Sequence, residues 1–89
     1  MQVAVIERGR FGGTCVNNGC TPTKTLIASA YVARLARRAA EYGVEVGPVR
    51  VDMARVKARK DAVVDSSRTF LEQWLRGIPN VSVYLSEAR

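Results

Sequence analysis

The chain has 89 residues, 47% of them hydrophobic, and its 14 Lys and Arg against 8 Asp and Glu give a net charge of +6. This length and composition predict one small globular domain and exclude a disordered chain. No apolar run approaches the roughly 20 residues of a membrane span, and the N-terminus lacks a signal-peptide pattern, so we expect a cytoplasmic protein with no membrane partner.

The first predicted element is a β-strand. Residues 3–6 form a short apolar run rich in β-branched side chains, and Glu7 follows it. This pattern predicts a parallel strand that is buried on both faces. The only other strand candidate is residues 81–85, so we expect further neighbours to come from elsewhere in a larger protein.

Two long helices are predicted between these strands. The first runs from about residue 23 to Gly43, which suits the left-handed conformation that closes a helix, and the second follows Asp52 as N-cap and stops at Gly77. Each has an apolar face at helical spacing, and we predict that the two helices pack antiparallel through these faces. The faces are Ala28, Val32, Leu35, Ala39 and Tyr42 in the first helix, and Met53, Val56, Val63, Phe70 and Trp74 in the second.

The basic residues of this chain do not predict nucleic-acid binding. Most of them lie within the two helical patterns, where charged residues normally occupy a solvated face. No basic run is interleaved with aromatic residues, and no zinc-finger spacing is present. We therefore expect no nucleic-acid partner, and an α/β order of strand, redox loop, two long antiparallel helices and strand.

Both cysteines lie in the segment Gly-Gly-Thr-Cys-Val-Asn-Asn-Gly-Cys-Thr-Pro-Thr-Lys, residues 12–24. Cys15 and Cys20 would close a very small loop, and Gly19 permits the tight turn that brings their sulfurs together. If Cys20 starts the helix, the helix dipole stabilises its thiolate, and Lys24 one turn later acts in the same direction. The segment therefore predicts a redox-active pair.

Other interpretations of the same cysteines stay open at this point. Buried free cysteines often serve only as small hydrophobic side chains. Because the chain has no histidine, zinc is not expected, but the two thiolates Cys15 and Cys20 would suit a soft metal such as mercury or copper(I). Upstream, Gly12, Gly13 and Thr14 offer backbone N–H groups and a hydroxyl suited to a phosphate.

The pattern GGTCxNxGCxPxK resembles the active-site signature of the class I pyridine nucleotide-disulfide oxidoreductases. Residues 3–7 resemble the second strand of that family's Rossmann-like FAD-binding domain, and the two helices with the closing strand resemble the segment after its disulfide. The resemblance implies that residues 1–89 are part of an FAD-binding domain. In such enzymes NAD(P)H reduces FAD, FAD reduces the disulfide, and the dithiol reduces the substrate.

The resemblance also implies a role for individual residues. Cys15 corresponds to the interchange thiol that meets the substrate, and Cys20 to the thiol nearer the flavin, which forms a charge-transfer complex with oxidised FAD. Lys24 corresponds to the lysine against the flavin ring, and Glu7 to the acidic residue on the adenosine ribose. The residues implied to contact FAD are Glu7, Gly12, Gly13, Thr14 and Lys24.

Several parts of the family are missing from these residues, namely the GxGxxG loop, the NAD(P)H domain and the dimerisation domain. We therefore expect a fragment that does not catalyse hydride transfer alone. The motif resembles that of mercuric reductases more than that of dihydrolipoamide dehydrogenases at two positions, Thr21 and Thr23. The resemblance therefore implies a disulfide, a thiol or mercuric ion as substrate.

Two alternative functions are a stand-alone dithiol module, for thiol–disulfide exchange or mercury binding, and a helical interaction module that pairs through Phe70 and Trp74. Uncovered sheet edges and apolar helix surface would favour a homo-oligomer.

Overall fold

The computed structural model describes all 89 residues and has the α/β organisation that the sequence predicts. In chain order the elements are strand β1 (Val3–Glu7), helix α1 (Gly13–Asn17), helix α2 (Cys20–Arg37), a 3₁₀ turn (Ala39–Tyr42), helix α3 (Met53–Arg76) and strand β2 (Val81–Leu85). The single turn of α1 lies where the sequence suggested only a loop. No helix is long and apolar enough to cross a membrane.

The two strands form a small parallel sheet. Val5 lies opposite Val83, and the Val3 N–H donates a 2.8 Å hydrogen bond to the Asn80 carbonyl as the pairing begins. The predicted burial of β1 on both faces is wrong for this chain, because Val3 and Ile6 are 44% and 46% exposed. β1 has β2 as its only neighbour, so most of its surface meets solvent.

Helices α2 and α3 pack antiparallel, as predicted. Arg59 Nη1 donates to the Thr25 carbonyl at 3.3 Å, whereas Arg68, further along α3, reaches back to Asn17 just before α2. The face of α2 that is least exposed is made of small residues and not of the predicted apolar stripe. This face consists of Pro22, Thr25, Ser29, Ala33 and Ala36.

The predicted stripe of α2 is therefore wrong as a packing face. Val32 and Leu35 are 64% and 43% exposed and line an open apolar groove on the outer side of the helix. Small side chains bring the two helix axes closer together, which explains why the small-residue face meets α3. The groove is lined by Tyr31, Val32, Leu35, Ala36, Ala39, Tyr42 and Val44.

The predicted stripe of α3 is correct only in its middle. Val56 and Val63 are half-buried, but Met53, Phe70 and Trp74 are 65%, 71% and 56% exposed, and Val64 is the fully buried residue. Beyond Arg68, α3 runs past the start of α2 and turns Leu71 and Leu75 inward instead. The predicted apolar stripe of α3 therefore stops being a packing face beyond Arg68, because α2 no longer lies beside it.

The helix ends follow the local signals of the sequence. Asp52 Oδ1 accepts a 3.2 Å hydrogen bond from the Arg55 N–H, as an N-cap does. Gly43 has a φ of 78° at the end of the 3₁₀ turn, which confirms its predicted left-handed conformation. The first helix begins at Cys20 and ends at Arg37, so it starts and stops earlier than the sequence predicts.

The chain is long and open. Its radius of gyration is 19.1 Å, whereas a compact domain of this length has about 12 Å. Its accessible surface of 7129 Å² exceeds the roughly 5,200 Å² expected for a folded monomer of its mass. Only Phe11, Pro22, Thr25 and Val64 are buried, and none of them completely.

Candidate redox-active cysteine site

The structure brings the two cysteines together at the junction of α1 and α2. Cys15 lies in the middle of α1, and Cys20 is the first residue of α2, with Gly19 at the N-cap position. Their side chains are close enough for Cys20 to influence the pKa of the Cys15 thiol. Both are free thiols, exposed to solvent. The long helix thus begins at Cys20, three residues before its predicted start, which meets the condition under which the sequence favours a redox-active pair.

Gly19 makes this approach possible. A Cβ at this position would lie 3.0 Å from the Thr14 carbonyl oxygen and 3.3 Å from the Cα of Cys15. The Thr14 oxygen is held in place, because it accepts a 2.8 Å hydrogen bond from the Asn18 N–H. A side chain at this position would therefore force the neighbouring backbone to move by a few tenths of an ångström, so the turn is tightest with glycine.

The electrostatics of the pair raise the pKa of Cys15, a residue for which the sequence predicted no shift. The hydrogen bond with Cys20 raises the pKa of Cys15 above its usual value, and partial desolvation and the Cys20 charge act in the same direction. The Lys24 ammonium lowers the pKa of Cys15, as its charge predicts, but this effect is smaller. Cys15 therefore keeps its proton to a higher pH than an isolated cysteine.

Lys24 lies one turn into α2, exposed, and forms no ion pair with any acidic residue of the chain. Its ammonium is therefore free to meet a negative charge next to the cysteines. This position agrees with the predicted spacing of Cys20 and Lys24 along one helix.

The residues predicted to bind FAD follow β1 at its carboxyl end. Glu7 ends the strand, and its Oε1 accepts a 2.9 Å hydrogen bond from the Gly9 N–H. Gly12 and Gly13 have φ values of 104° and 64°, and a Cβ on Gly12 would lie 2.6 Å from the Cβ of Val16. Thr14 follows in the first turn of α1. These residues and the cysteines thus follow one another directly after the carboxyl end of β1.

Asn17 is a site residue to which the sequence assigned no role. Its Nδ2 donates hydrogen bonds of 3.0 Å to the carbonyls of both Phe11 and Gly13, and its Oδ1 accepts one of 3.0 Å from Arg68. Arg68 lies 51 positions later in α3, so no local pattern relates it to the cysteine loop. The pattern GGTCxNxGCxPxK does contain this asparagine, but it does not show what the side chain binds.

A complete metal site is not formed in the structure. No group of three or more His, Cys, Asp or Glu residues is placed to share an ion. The soft-metal interpretation would therefore depend on Cys15 and Cys20 as the two protein ligands.

Comparison with known proteins indicates the relatives of the chain. No protein-family profile matches it. It is 46% identical over 65 residues to dihydrolipoyl dehydrogenase of Bacillus subtilis strain 168, which covers 73% of the chain and 14% of that protein. Mycothione reductase of Mycobacterium tuberculosis H37Rv is 38% identical over 88 residues, 99% of the chain and 19% of that protein.

The chain is related to the pyridine nucleotide-disulfide oxidoreductases. A further relative, dihydrolipoyl dehydrogenase of Chlamydia muridarum, is 38% identical over 76 residues, 85% of the chain. The chain spans only 14% to 19% of the length of these three proteins. The relatives support the family that the cysteine motif predicts. They do not support the mercuric reductase subtype, which stays a prediction from Thr21 and Thr23.

Proposed function

We propose that the chain is the segment of an FAD-dependent NAD(P)H:disulfide oxidoreductase that carries the redox-active disulfide. The observation that carries this proposal is that Cys15 lies next to Cys20 at the start of α2, across a tight turn in which Gly19 closely approaches the backbone of Cys15. The kinship with dihydrolipoyl dehydrogenases and mycothione reductase adds support. Residues 1–89 would then be one part of the FAD-binding domain, and the NAD(P)H and dimerisation domains would lie outside them.

The proposed chemistry is thiol–disulfide exchange between the cysteine pair and a disulfide substrate. The Cys15 thiolate attacks one substrate sulfur, a new S–S bond forms, and the first substrate thiolate leaves. The Cys20 thiolate then attacks the Cys15 sulfur, which releases the second substrate thiolate and closes the Cys15–Cys20 disulfide. The pair loses two electrons and two protons, and the substrate becomes two thiols. The reverse sequence oxidises a dithiol substrate.

The solvent exposure of the cysteines and the charge near them suit these exchange steps. Both thiols are open to solvent, so a substrate disulfide can reach either. Because the hydrogen bond to Cys20 raises the pKa of Cys15, exchange should accelerate as pH rises through the ordinary thiol range and beyond it. Lys24 acts in the opposite direction on the pKa of Cys15, because its ammonium group stabilises negative charge at the cysteine pair.

The residues that would hold FAD fit that group. Glu7 uses only Oε1 within the chain, so its other oxygen is free to accept from a ribose hydroxyl. Gly13 has open space where a Cβ would stand, so its backbone is accessible to a diphosphate, with Thr14 next to it. Dinucleotides bind at the carboxyl ends of parallel strands, where this loop lies. When bound, FAD would supply the electron pair that reduces the disulfide.

The uncovered apolar surface supports a larger assembly. The outer groove of α2 and the exposed Phe70 and Trp74 are apolar areas of a kind that monomers rarely leave open. We propose that the chain on its own self-associates through this surface into a homo-oligomer, in the cytoplasm and without nucleic acid.

The substrate class that we propose is a low-molecular-weight disulfide or its dithiol. The preference for mercuric ion depends only on Thr21 and Thr23, and the choice of NADPH over NADH depends on a domain outside these residues. Mercuric ion is therefore the second substrate to assay.

An aromatic disulfide that releases a coloured thiolate tests this proposal. The reduced chain should release two thiolates and retain no aromatic adduct by mass, because Cys20 displaces the adduct from Cys15. Cys15→Ser and Cys20→Ser should each release one thiolate and keep the adduct. A wild-type chain that keeps aromatic adducts on both cysteines would contradict the proposed exchange.

A further inference from the structure

Asn17 belongs to the small loop that the Cys15–Cys20 disulfide would close, and its side chain reaches out of this loop. Its amide nitrogen donates to the carbonyls of Phe11 and Gly13 at 3.0 Å each, and reaches the Arg10 carbonyl at 3.5 Å. These carbonyls belong to the glycine loop and the start of α1. One side chain therefore ties the cysteine loop to the segment that precedes it.

The Asn17 amide can point only one way. Backbone carbonyls only accept hydrogen bonds, so the Nδ2 group must face Phe11 and Gly13. A guanidinium only donates, so Oδ1 must face Arg68, whose Nη1 lies 3.0 Å away. A flipped amide would lose all of these bonds, which leaves a single orientation for Asn17 in the folded chain.

Arg68 is itself held in a fixed position. Its Nη2 forms an ion pair with Asp65, one turn earlier in α3, while Nη1 serves Asn17. The Arg68 side chain is only 23% exposed, in contrast to the 63% of Asp65. Because the ion pair with Asp65 already orients the planar guanidinium, the bond to Asn17 costs Arg68 little further side-chain freedom. The long helix α3 thus presents a fixed donor to the cysteine loop.

We propose that Arg68 is a positioning residue for the redox pair and acts through Asn17. The proposal rests on the proposed disulfide function of Cys15 and Cys20. By fixing the Asn17 amide, Arg68 keeps the loop in the geometry in which the two sulfurs are adjacent even when both are reduced. Closing the disulfide then costs little additional chain entropy, so the disulfide is favoured.

This effect is one of geometry and not of charge. The cation that lowers the pKa of Cys15 is Lys24, and Arg68 makes no such contribution. Removal of Arg68 should therefore weaken the disulfide and move the alkylation profile of Cys15 to lower pH, because the Cys20 contact that raises the pKa of Cys15 loosens. If Arg68 acted only as a nearby positive charge, its removal would instead move that profile to higher pH.

The test measures the equilibrium between dithiol and disulfide in glutathione redox buffers, with acid quench, alkylation and mass analysis. All variants of the 89-residue chain are compared at a temperature where circular dichroism shows the same helix content. Arg68→Met should lower the equilibrium constant for disulfide formation about tenfold, equal to about 30 mV for a two-electron couple. Arg68→Lys, which keeps one donor, should recover part of this loss.

Arg76→Met is the matched control. Arg76 lies on the same helix and pairs with Glu72 through Nε and Nη2 at 3.2 Å and 3.0 Å, but it does not touch the cysteine loop. This variant should keep the wild-type equilibrium. If Arg68→Met also keeps it while the wild type forms its disulfide, the positioning role is refuted and the proposed function stands.

A second variant covers the case in which Arg68→Met loses helix content. Asn17→Leu leaves α3 intact and removes the link from the loop side, so it should show the same tenfold loss. An unchanged equilibrium in Asn17→Leu overturns the proposal. If the wild-type chain forms no intramolecular disulfide at all, the proposed function fails, which is a different and recognisable result.

Discussion

Replacement of Gly19 by alanine is the perturbation that the structure describes most completely. The new Cβ would lie 3.0 Å from the Thr14 oxygen and 3.3 Å from the Cα of Cys15, both backbone atoms that no rotamer change can move. The turn must therefore open by a few tenths of an ångström. Overpacking of this kind typically costs about 1–3 kcal/mol.

Most of this cost should fall on the oxidised state. A disulfide requires Cβ atoms about 3.5–4.5 Å apart, so it cannot tolerate a Cys15 that is pushed away from Cys20, whereas the dithiol can relax. Since 1.4 kcal/mol is a factor of ten, 1–3 kcal/mol predicts a loss of at least about fivefold in the equilibrium constant for disulfide formation.

The assay for Gly19→Ala is the same redox-buffer equilibration, with Gly9→Ala as the matched control. A Cβ on Gly9 would meet only the Glu7 Oε1 at 3.6 Å, an ordinary contact near the same loop. We expect the wild-type equilibrium in Gly9→Ala and the loss in Gly19→Ala. A folded Gly19→Ala chain whose equilibrium lies within twofold of wild type would refute the argument that close backbone approach places the sulfurs together.

Three further predictions follow from the charges and surfaces of the chain. Cys20→Ala removes the hydrogen bond that raises the pKa of Cys15, so the alkylation profile of Cys15 should move to lower pH; an unchanged profile contradicts that cause. Hydrogen bonds from two lysines lower the pKa of Asp61 to about 2 from its usual 3.8, so the stability that it contributes is present above pH 4 and is lost as pH falls towards 2. Asp61→Asn should therefore flatten the acid limb of a denaturation curve over that range, and an identical limb would exclude Asp61 as its source. Val32→Glu, in the outer groove of α2, should shift light scattering towards the monomer, whereas the exposed Gln73→Glu should not; equal masses for both variants would exclude the groove as the interface.

Local signals were sufficient for β2 and for the ends of α3, but not for those of α2. The β2 strand occupies the predicted residues 81–85, and Asp52 caps α3, which ends before Gly77 as predicted. Each of these features depends on a few neighbouring residues, whose capping, turn and strand preferences do not need the rest of the fold.

Packing partners could not be predicted in the same way. The apolar periodicity of α2 was real, but Val32 and Leu35 form the outer groove while small residues meet α3. Periodicity identifies an apolar face without saying what covers it. Likewise, Phe70 and Trp74 continue the apolar stripe of α3 beyond the start of α2, so α2 does not cover them.

The link from Asn17 to Arg68 shows the limit most clearly. Asn17 stands within a recognisable motif, but its role depends on a side chain 51 positions away on another helix. Only the three-dimensional packing of α1 against α3 brings the two together. Such contacts leave no periodic or local trace in a single sequence.

Cys15 and Cys20 should form a reversible disulfide within one chain. Equilibration of the chain in glutathione buffers of stepped potential, followed by intact mass measurement under denaturing conditions, measures this disulfide. We expect one two-electron transition to a species with the mass of a single chain minus two hydrogens, which is absent in Cys15→Ser. Glutathione adducts or disulfide-linked dimers in place of that species would contradict it.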